Sequence, residues 1–559
     1  MAAKRRSSMS QVLAGLAVVM VALVVVAVTP EGRARHSTAP PARVAGRALG
    51  SMFQDDLHLI YSSTPVVTRT LDVLKGLGVN QIRATVVWKD IAPNASSSTA
   101  PARFNATDPA AYPAAGWAPY DRLDDLAQAR GMTLNFNVTA PAPLWAVATG
   151  ASSPHYADHW MPISAAFGRF VQALGRRYSG RYVPPGANAL PRVSFWSIWN
   201  EPNQPGWLAP QWRTSAGGPA MESPVLYRSA VDAAFAALSS TGHGPSADTI
   251  LVGDLAPEGC VAGQGSCQGG VYSRPEWPIA PLPFLRGLYC VGAGDQPLRG
   301  SAAVALGCPR SPNPPAFAAA HPGLFRATGF AHHPYSFLLA PNLPLHNPAF
   351  VPLSNLRALE TSLDAIFRAY GVNRRLPIYL TEYGYETNPP NPFKGVSPQL
   401  QALFLNQAEY LAWKDPRVVT LNQFLLYDSP PNPAFPKGTQ GYWSTFQTGL
   451  LYANGKPKPS LSAYRLPIYL PQPALGPDHR LFVWAMLRDA PPGSTQRAQI
   501  QWRPSSGNSY RTLQQVTVTD RSEVVTDTVR VPAAGQLRIQ WSSPAGQLQD
   551  SRPATVTAR

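Results

Sequence analysis

From residue 48 to about residue 470 the chain alternates short apolar segments of strand length with stretches whose apolar residues recur at helical spacing. That alternation builds a parallel sheet with helical crossovers, because each strand must be carried back to the same end of the sheet before the next begins. The strand segments fall at 49–53, 79–87, 132–138, 193–199, 250–255, 329–333, 377–381 and 418–426. The first helix opens at Thr64-Pro65, with a cap and a proline in the first turn, and shows an apolar face of Val67, Leu71, Leu74 and Leu77. Further helices are predicted at 120–130, 164–178, 225–238, 356–370 and 399–413, with a short closing helix at 460–465. The stretch 256–323 reads as loop-rich. Eight such units predict an α/β fold, a (β/α)8 barrel, whose chemistry sits on the loops that follow the strands.

The pattern changes beyond residue 470. Segments 481–487, 497–502, 512–519, 524–531 and 535–541 are short, partly alternating and separated by Gly, Pro and Ser. They predict a C-terminal β-sandwich of immunoglobulin or fibronectin type over 471–559. Trp484, Trp502 and Trp541 suit its core, which makes a structural appendage the preferred reading over a carbohydrate-binding module.

The other end of the chain points to export. Lys4, Arg5 and Arg6 precede an uncharged apolar run from 12 to 28, so residues 1–29 read as a signal peptide or, if uncleaved, a membrane anchor. Residues 30–47, rich in Pro, Ala and Arg, read as a linker. Cys260, Cys267, Cys290 and Cys308 lie within one fifty-residue window and lack a tight Cys-x-x-Cys pair, which argues for disulfides over zinc. Of the three possible pairings, Cys260–Cys267 with Cys290–Cys308 closes the shortest loops. The formal net charge of +16 raises nucleic-acid binding. The basic residues are scattered singly, however, and no nucleic-acid-binding motif is present, so solubility or contact with anionic envelope polymers accounts better for the charge.

Two strand ends carry carboxylates. Phe195-Trp196-Ser197-Ile198-Trp199-Asn200-Glu201-Pro202 ends the fourth strand, and Pro377-Ile378-Tyr379-Leu380-Thr381-Glu382-Tyr383-Gly384 ends the seventh. Either alone is as consistent with turn capping as with chemistry. Together, across the mouth of a barrel, two carboxylates meet the requirement for cleaving a glycosidic bond, one giving a proton to the leaving oxygen while the other attacks the anomeric carbon.

At this point the chain resembles the clan A retaining glycoside hydrolases, in particular their cellulase-like and β-xylosidase-like members. The resemblance covers about residues 48–470 and rests on Trp199-Asn200-Glu201-Pro202 and Leu380-Thr381-Glu382-Tyr383-Gly384 in that order. It implies Glu201 as acid/base, Glu382 as nucleophile and Asn200 as a partner of the sugar 2-hydroxyl. It further implies Arg83, ending Ile82-Arg83, beside the nucleophile, and, from His332-His333-Pro334-Tyr335, a substrate contact by His333 and a hydrogen bond from Tyr335 to the nucleophile. His332 is expected to be a buried packing residue, and with no third ligand at useful spacing no metal site is expected. The eighth strand departs from the pattern: it ends Leu425-Leu426-Tyr427-Asp428 where many relatives carry a Trp, and Tyr427 is the candidate replacement. Of the tryptophans after strands two to four, Trp88, Trp145, Trp207 and Trp212, the sequence favours Trp145 or Trp207 as sugar platforms.

The expectation is therefore a secreted or cell-surface, monomeric β-glycosidase acting by double displacement on a carbohydrate substrate. It needs no cofactor and no nucleic-acid partner, and it meets a membrane only through its N-terminal segment if that is retained. Two rival readings are an inactive barrel that binds extracellular carbohydrate and an envelope protein that binds acidic polymers by charge. Whether the loops form a groove or a pocket, and so favour endo or exo action, stays open.

Overall fold

The computed structural model describes residues 48–151, 154–215, 218–261, 275–519 and 522–558. The N-terminal apolar run, the whole of the linker, and Cys267 lie outside these residues. Among the described residues no helix is long and apolar enough to cross a membrane.

Eight parallel strands close into a barrel: β1 (Gly50–Gln54), β2 (Gln81–Val87), β3 (Thr133–Thr139), β4 (Phe195–Ile198), β5 (Thr249–Leu255), β6 (Gly329–His332), β7 (Ile378–Leu380) and β8 (Val418–Phe424). Each strand pairs with its chain neighbours, and β8 closes on β1 through a register that matches Gly50 to Thr420 and Gln54 to Phe424. Strand β3 shows how the sequence separates the two faces. Leu134, Phe136 and Val138 alternate with Asn135, Asn137 and Thr139, as a period of two requires. Phe136 packs among Tyr120, Tyr178 and Trp196, while Asn137 Nδ2 donates to the Trp199 carbonyl at 2.7 Å. The barrel interior is thus partly polar.

The helices follow the predicted order, with differences at their ends. The helix predicted at 120–130 starts earlier and spans Ala114–Gln128 with Pro119 inside it. Tertiary packing outweighs the proline: Trp117 is buried and donates to the Pro109 carbonyl, and Gly116 sits so close to Ile91 that a Cβ there would meet its backbone at 2.9 Å. The stretch 256–323, predicted as loop, contains the helices Pro281–Leu288, Gly300–Val304 and Pro314–Ala320, and Pro322–Arg326 begins there too. Pro281, Pro314 and Pro322 are helix starts, since a first-turn proline loses no intrahelical hydrogen bond. A two-stranded hairpin, Trp212–Ser215 with Gly218–Met221, was also not predicted. Cys290 and Cys308 form a disulfide; Cys260 is not free, and its predicted partner Cys267 is not among the described residues.

The chain divides into two compact units. One contains Leu49–Glu386 and Asp415–Tyr427, and so all eight barrel strands; the other takes in Thr387–Lys414 and Asp428–Arg559. In the second, two antiparallel sheets face each other. Ile468–Tyr469, Arg480–Met486 and Val524–Arg530 form one; Gln496–Pro504, Arg511–Val518, Gly535–Ser542, Leu548–Asp550 and Ala554–Val556 form the other. Their core holds Leu481, Val483, Ile500, Trp502, Ile539 and Trp541. Trp484 lies outside that core. One residue along from Val483, it faces the other way and packs on Tyr410 and Trp413 of helix Pro398–Lys414.

In the barrel unit, Phe170 is fully buried between Trp88, 5.6 Å away and nearly parallel, and Trp117, 6.3 Å away and nearly parallel. Phe170→Ala removes the shared ring and should destabilise the barrel by about 3–5 kcal/mol. Guanidinium unfolding of the full chain, followed by tryptophan fluorescence, measures this; a loss under about 1 kcal/mol would mean that the neighbours close the gap.

Candidate active site

Arg83 lies in the middle of β2, pairs with Asn135 of β3 and is 0 % exposed. From inside the barrel its guanidinium reaches the ends of four other strands. Nη1 donates to Glu382 Oε1 at 2.7 Å, beyond β7, and to Gln54 Oε1 at the end of β1. Nη2 donates to Asn200 Oδ1 at 2.6 Å, beyond β4, and to Asp254 Oδ1 at 3.3 Å, near the end of β5. A buried guanidinium requires such partners. Burial alone would lower the Arg83 pKa, but the charges of Glu382, Asp254 and Asp56 hold it above its ordinary value.

Glu382 accepts a second hydrogen bond, from Tyr335 Oη to Oε2 at 3.1 Å. Tyr335 is pushed well above its ordinary value by burial and by the nearby charges of Glu382 and Glu201, so it stays a donor. Glu201 is bonded differently. Its Oε1 meets His333 Nδ1 at 2.8 Å, while Oε2 is buried and has no partner among the described residues. Burial raises the Glu201 carboxyl against the opposing pull of His333, and the charge of Glu382 adds to the rise. One oxygen from each glutamate and a ring nitrogen of His333 lie within 4.8 Å of one another.

His333 bridges the site. Nδ1 faces Glu201, and also Glu382 Oε2 at 3.7 Å, while Nε2 faces Asp254 Oδ1 at 3.3 Å. Burial would lower its pKa, but Glu382, Asp254 and Glu201 raise it to about 9. The ring is 0 % exposed, and its two nitrogens face carboxylates on opposite sides. The spacing of Glu201, His333 and Glu382 would let a cation bridge them. The chemistry of the set opposes this, since Arg83 already donates to Glu382 and the ring is itself held protonated. His332 is buried, with Nε2 on the Val351 carbonyl, and burial lowers its pKa to about 4.

Asp254 and Gln54 were missed from sequence. Asp254 sits in a bulge: β5 and β6 slip register between Gly253 and Leu255. Gly253, at φ +110°, lies so near β6 that a Cβ would stand 2.5 Å from the Ala331 carbonyl oxygen. The bulge interrupts the strand's alternation and brings Asp254 to Arg83, His333 and Thr381, whose hydroxyl donates to Oδ1 at 2.6 Å. Burial would raise Asp254; Arg83, His333 and Thr381 together hold it below its ordinary value. The signal in the sequence was an acidic residue after a glycine in an otherwise apolar strand.

The aromatic candidates separate. Trp88 is packed against Phe167 and Phe170 in the core. Trp207 and Trp212 are buried, the first accepting the Trp199 indole N–H at its carbonyl and the second donating to the Trp277 carbonyl. Trp145 is partly exposed, with its indole N–H on the Pro93 carbonyl and its ring edge-on to Trp88 and Phe104. Tyr427 is half-buried, 4.3 Å from the ring of His58, which Asp55 holds at 2.8 Å; His58 was not predicted as a neighbour.

Arg83→Met removes the guanidinium that Asp254 and Glu382 share, leaving only the His333 ring beside them, and should destabilise the chain by about 3–5 kcal/mol. Urea unfolding at neutral pH reads this directly, and a near-neutral result would mean that the two carboxylates find other partners.

No family model matches the chain, and no characterised protein of similar sequence matches it. Solved structures that it resembles include GH5_18 from Streptomyces cattleya in complex with GlcNAc, at 13% identity and a TM-score of 0.42 over 78% of this chain and 86% of the other. They also include a family 1 β-glucosidase from Thermotoga maritima, at 13% identity and a TM-score of 0.41 over 76% and 97% of the two chains. A third is a fungal β-1,4-galactanase, at 14% identity and a TM-score of 0.39 over 75% and 99%.

Proposed function

We propose that this chain is a glycosidase that cleaves O-glycosidic bonds of a β-linked glycan or glycoside with retention of configuration. The reading is carried by one observation: two buried glutamates at one point of the barrel mouth are bonded in opposite ways. Glu382 accepts from Arg83 and Tyr335, which holds it as a carboxylate acceptor. Glu201 keeps one oxygen without a partner and is raised by burial, as a proton donor requires. Oxygens of the two come within 4.8 Å, which favours direct attack by the second carboxylate over an inverting site with room for an intervening water.

Glu382 attacks the anomeric carbon as its bond to the leaving oxygen breaks, and Glu201 gives that oxygen a proton. A water then attacks the anomeric carbon, losing a proton to Glu201 and freeing Glu382. Asn200 Oδ1 is taken by Arg83, so its Nδ2 is the donor for the sugar 2-hydroxyl. Trp145 and the Tyr427–His58 pair are the aromatic surfaces assigned to sugar rings. The Cys290–Cys308 disulfide supports action outside the cytoplasm.

The test is turnover of a panel of aryl β-glycosides and β-glycans, with the product anomer followed by NMR. Glu382→Ala should abolish turnover throughout. Glu201→Ala should cost about 10²–10⁴-fold on poor leaving groups and far less on activated ones. Equal losses on both would overturn the assignment of roles, and first-formed product of inverted configuration would overturn retention. Glycan binding without turnover across the panel would leave a carbohydrate-binding barrel.

A further inference from the structure

The glycosidase reading uses Glu201, Glu382, Asn200 and Arg83, but leaves two buried ionisable groups without a task, His333 and Asp254. They meet at Nε2 and Oδ1, 3.3 Å apart, and the opposite ring nitrogen is 2.8 Å from Glu201. The three residues come from the ends of β6, β5 and β4, so the line they form depends on the barrel and not on local sequence.

We propose that Asp254 is a positioning residue that acts through His333: it holds the ring doubly protonated and oriented, so that Nδ1–H engages Glu201 Oε1 and the transferable proton of Glu201 rides on Oε2. This rests on the glycosidase reading for its consequence but not for its geometry. Asp254 is itself fixed from three sides. Thr381 donates to Oδ1 at 2.6 Å, Arg83 at 3.3 Å, and the Asp254 carbonyl accepts the Glu201 backbone N–H at 2.9 Å. A carboxylate so placed selects an N–H at Nε2, as acidic partners of imidazole do elsewhere.

The charges facing the ring from the surrounding strands are Glu201 of the β4 end, Asp254 of β5, and Glu382 beyond β7 at 3.7 Å. Arg83 of β2 stands behind Asp254 and Glu382, and His332 is the ring's neighbour on its own strand, with burial keeping it neutral. Three acidic groups outweigh burial, in keeping with a ring that stays charged to about pH 9. The consequence is directional. When Glu201 gives up its Oε2 proton, the carboxylate left behind already has a charged N–H on Oε1, and the proton count of His333 does not change through either displacement.

Asp254→Asn is the discriminating variant, because its amide oxygen can still accept from Nε2–H while the charge is gone. The ring nitrogens of His333 are followed by NMR in the full chain labelled with 15N-histidine, with His333→Gln supplying the assignment. In the wild type the ring should stay doubly protonated to about pH 9; in Asp254→Asn its titration should fall by about one unit or more. In the same variant kcat/KM should fall further for poor than for activated leaving groups. An unshifted titration overturns the proposal. If wild type turns over no β-glycoside while the titration shifts as stated, the positioning role of Asp254 stands and the glycosidase reading fails; normal turnover with an unshifted titration has the reverse meaning. Should Asp254→Asn not fold, Thr381→Val removes the hydroxyl that fixes Oδ1 while keeping the charge. Loosening Asp254 in this way should also lower the His333 titration, and no change there would overturn the proposal.

Discussion

The guanidinium of Arg83 is the interaction on which the mouth of the barrel depends. A cation with 0 % exposure is tolerated only where charges and hydrogen bonds replace the water it has lost. Here they come from Gln54, Asn200, Asp254 and Glu382, each at the end of a different strand. No two of these strands are chain neighbours except β4 and β5, and the partners are up to 299 residues away in sequence. The barrel must therefore close before the charge is compensated, and once closed the charge fixes the separation of the strand ends. Fold and site are joined by this single side chain.

A second constraint lies in the backbone. Trp199, Glu201 and Asp254 have φ values of 69°, 38° and 46°, in the left-handed region that a side chain with a Cβ adopts at a cost of about 1–3 kcal/mol each. The three are tied together: Trp199 N donates to the Val138 carbonyl, Asn200 N to the Thr139 hydroxyl, and Glu201 N to the Asp254 carbonyl. Strain at β4 is thus held by bonds to β3 and by the bulge in β5. Glu201 sits in left-handed backbone, with its backbone N–H on the bulged Asp254 carbonyl and its carboxylate on the His333 ring.

Much of this was legible beforehand, for reasons that can be stated. Strands of a parallel barrel are buried on both faces and separated by helical crossovers, so β2, β3, β5 and β8 were placed within two residues at each end, and the carboxylates at the ends of β4 and β7 stood out as charges closing apolar runs. Asp254 did not stand out, because a bulge breaks the alternation that makes a strand readable and because its partners are set by register. The helices after β5 were hidden by prolines that punctuate a loop and a helix start equally well. Trp484 was assigned to the sandwich core with Trp502 and Trp541 from the alternation in their strands; its neighbours Val483 and Ala485 hold that face, and parity sends the indole to the opposite side.

The inventory of hydrogen bonds also assigns a direction that the pair of carboxylates alone does not. Both oxygens of Glu382 are occupied by donors, a guanidinium and a phenol, whereas Glu201 has one oxygen occupied and one buried without a partner. A buried polar atom left unpaired costs about 1–3 kcal/mol, so it persists only where the rest of the site enforces it. In the proposed glycosidase, a proton on Oε2 finds its acceptor when the leaving oxygen of a substrate arrives. The site is therefore polarised before any substrate enters. Glu382 has one donor on each oxygen, Glu201 has one oxygen without a partner, and exchanging these two surroundings would require moving Arg83, which four strand ends hold in place.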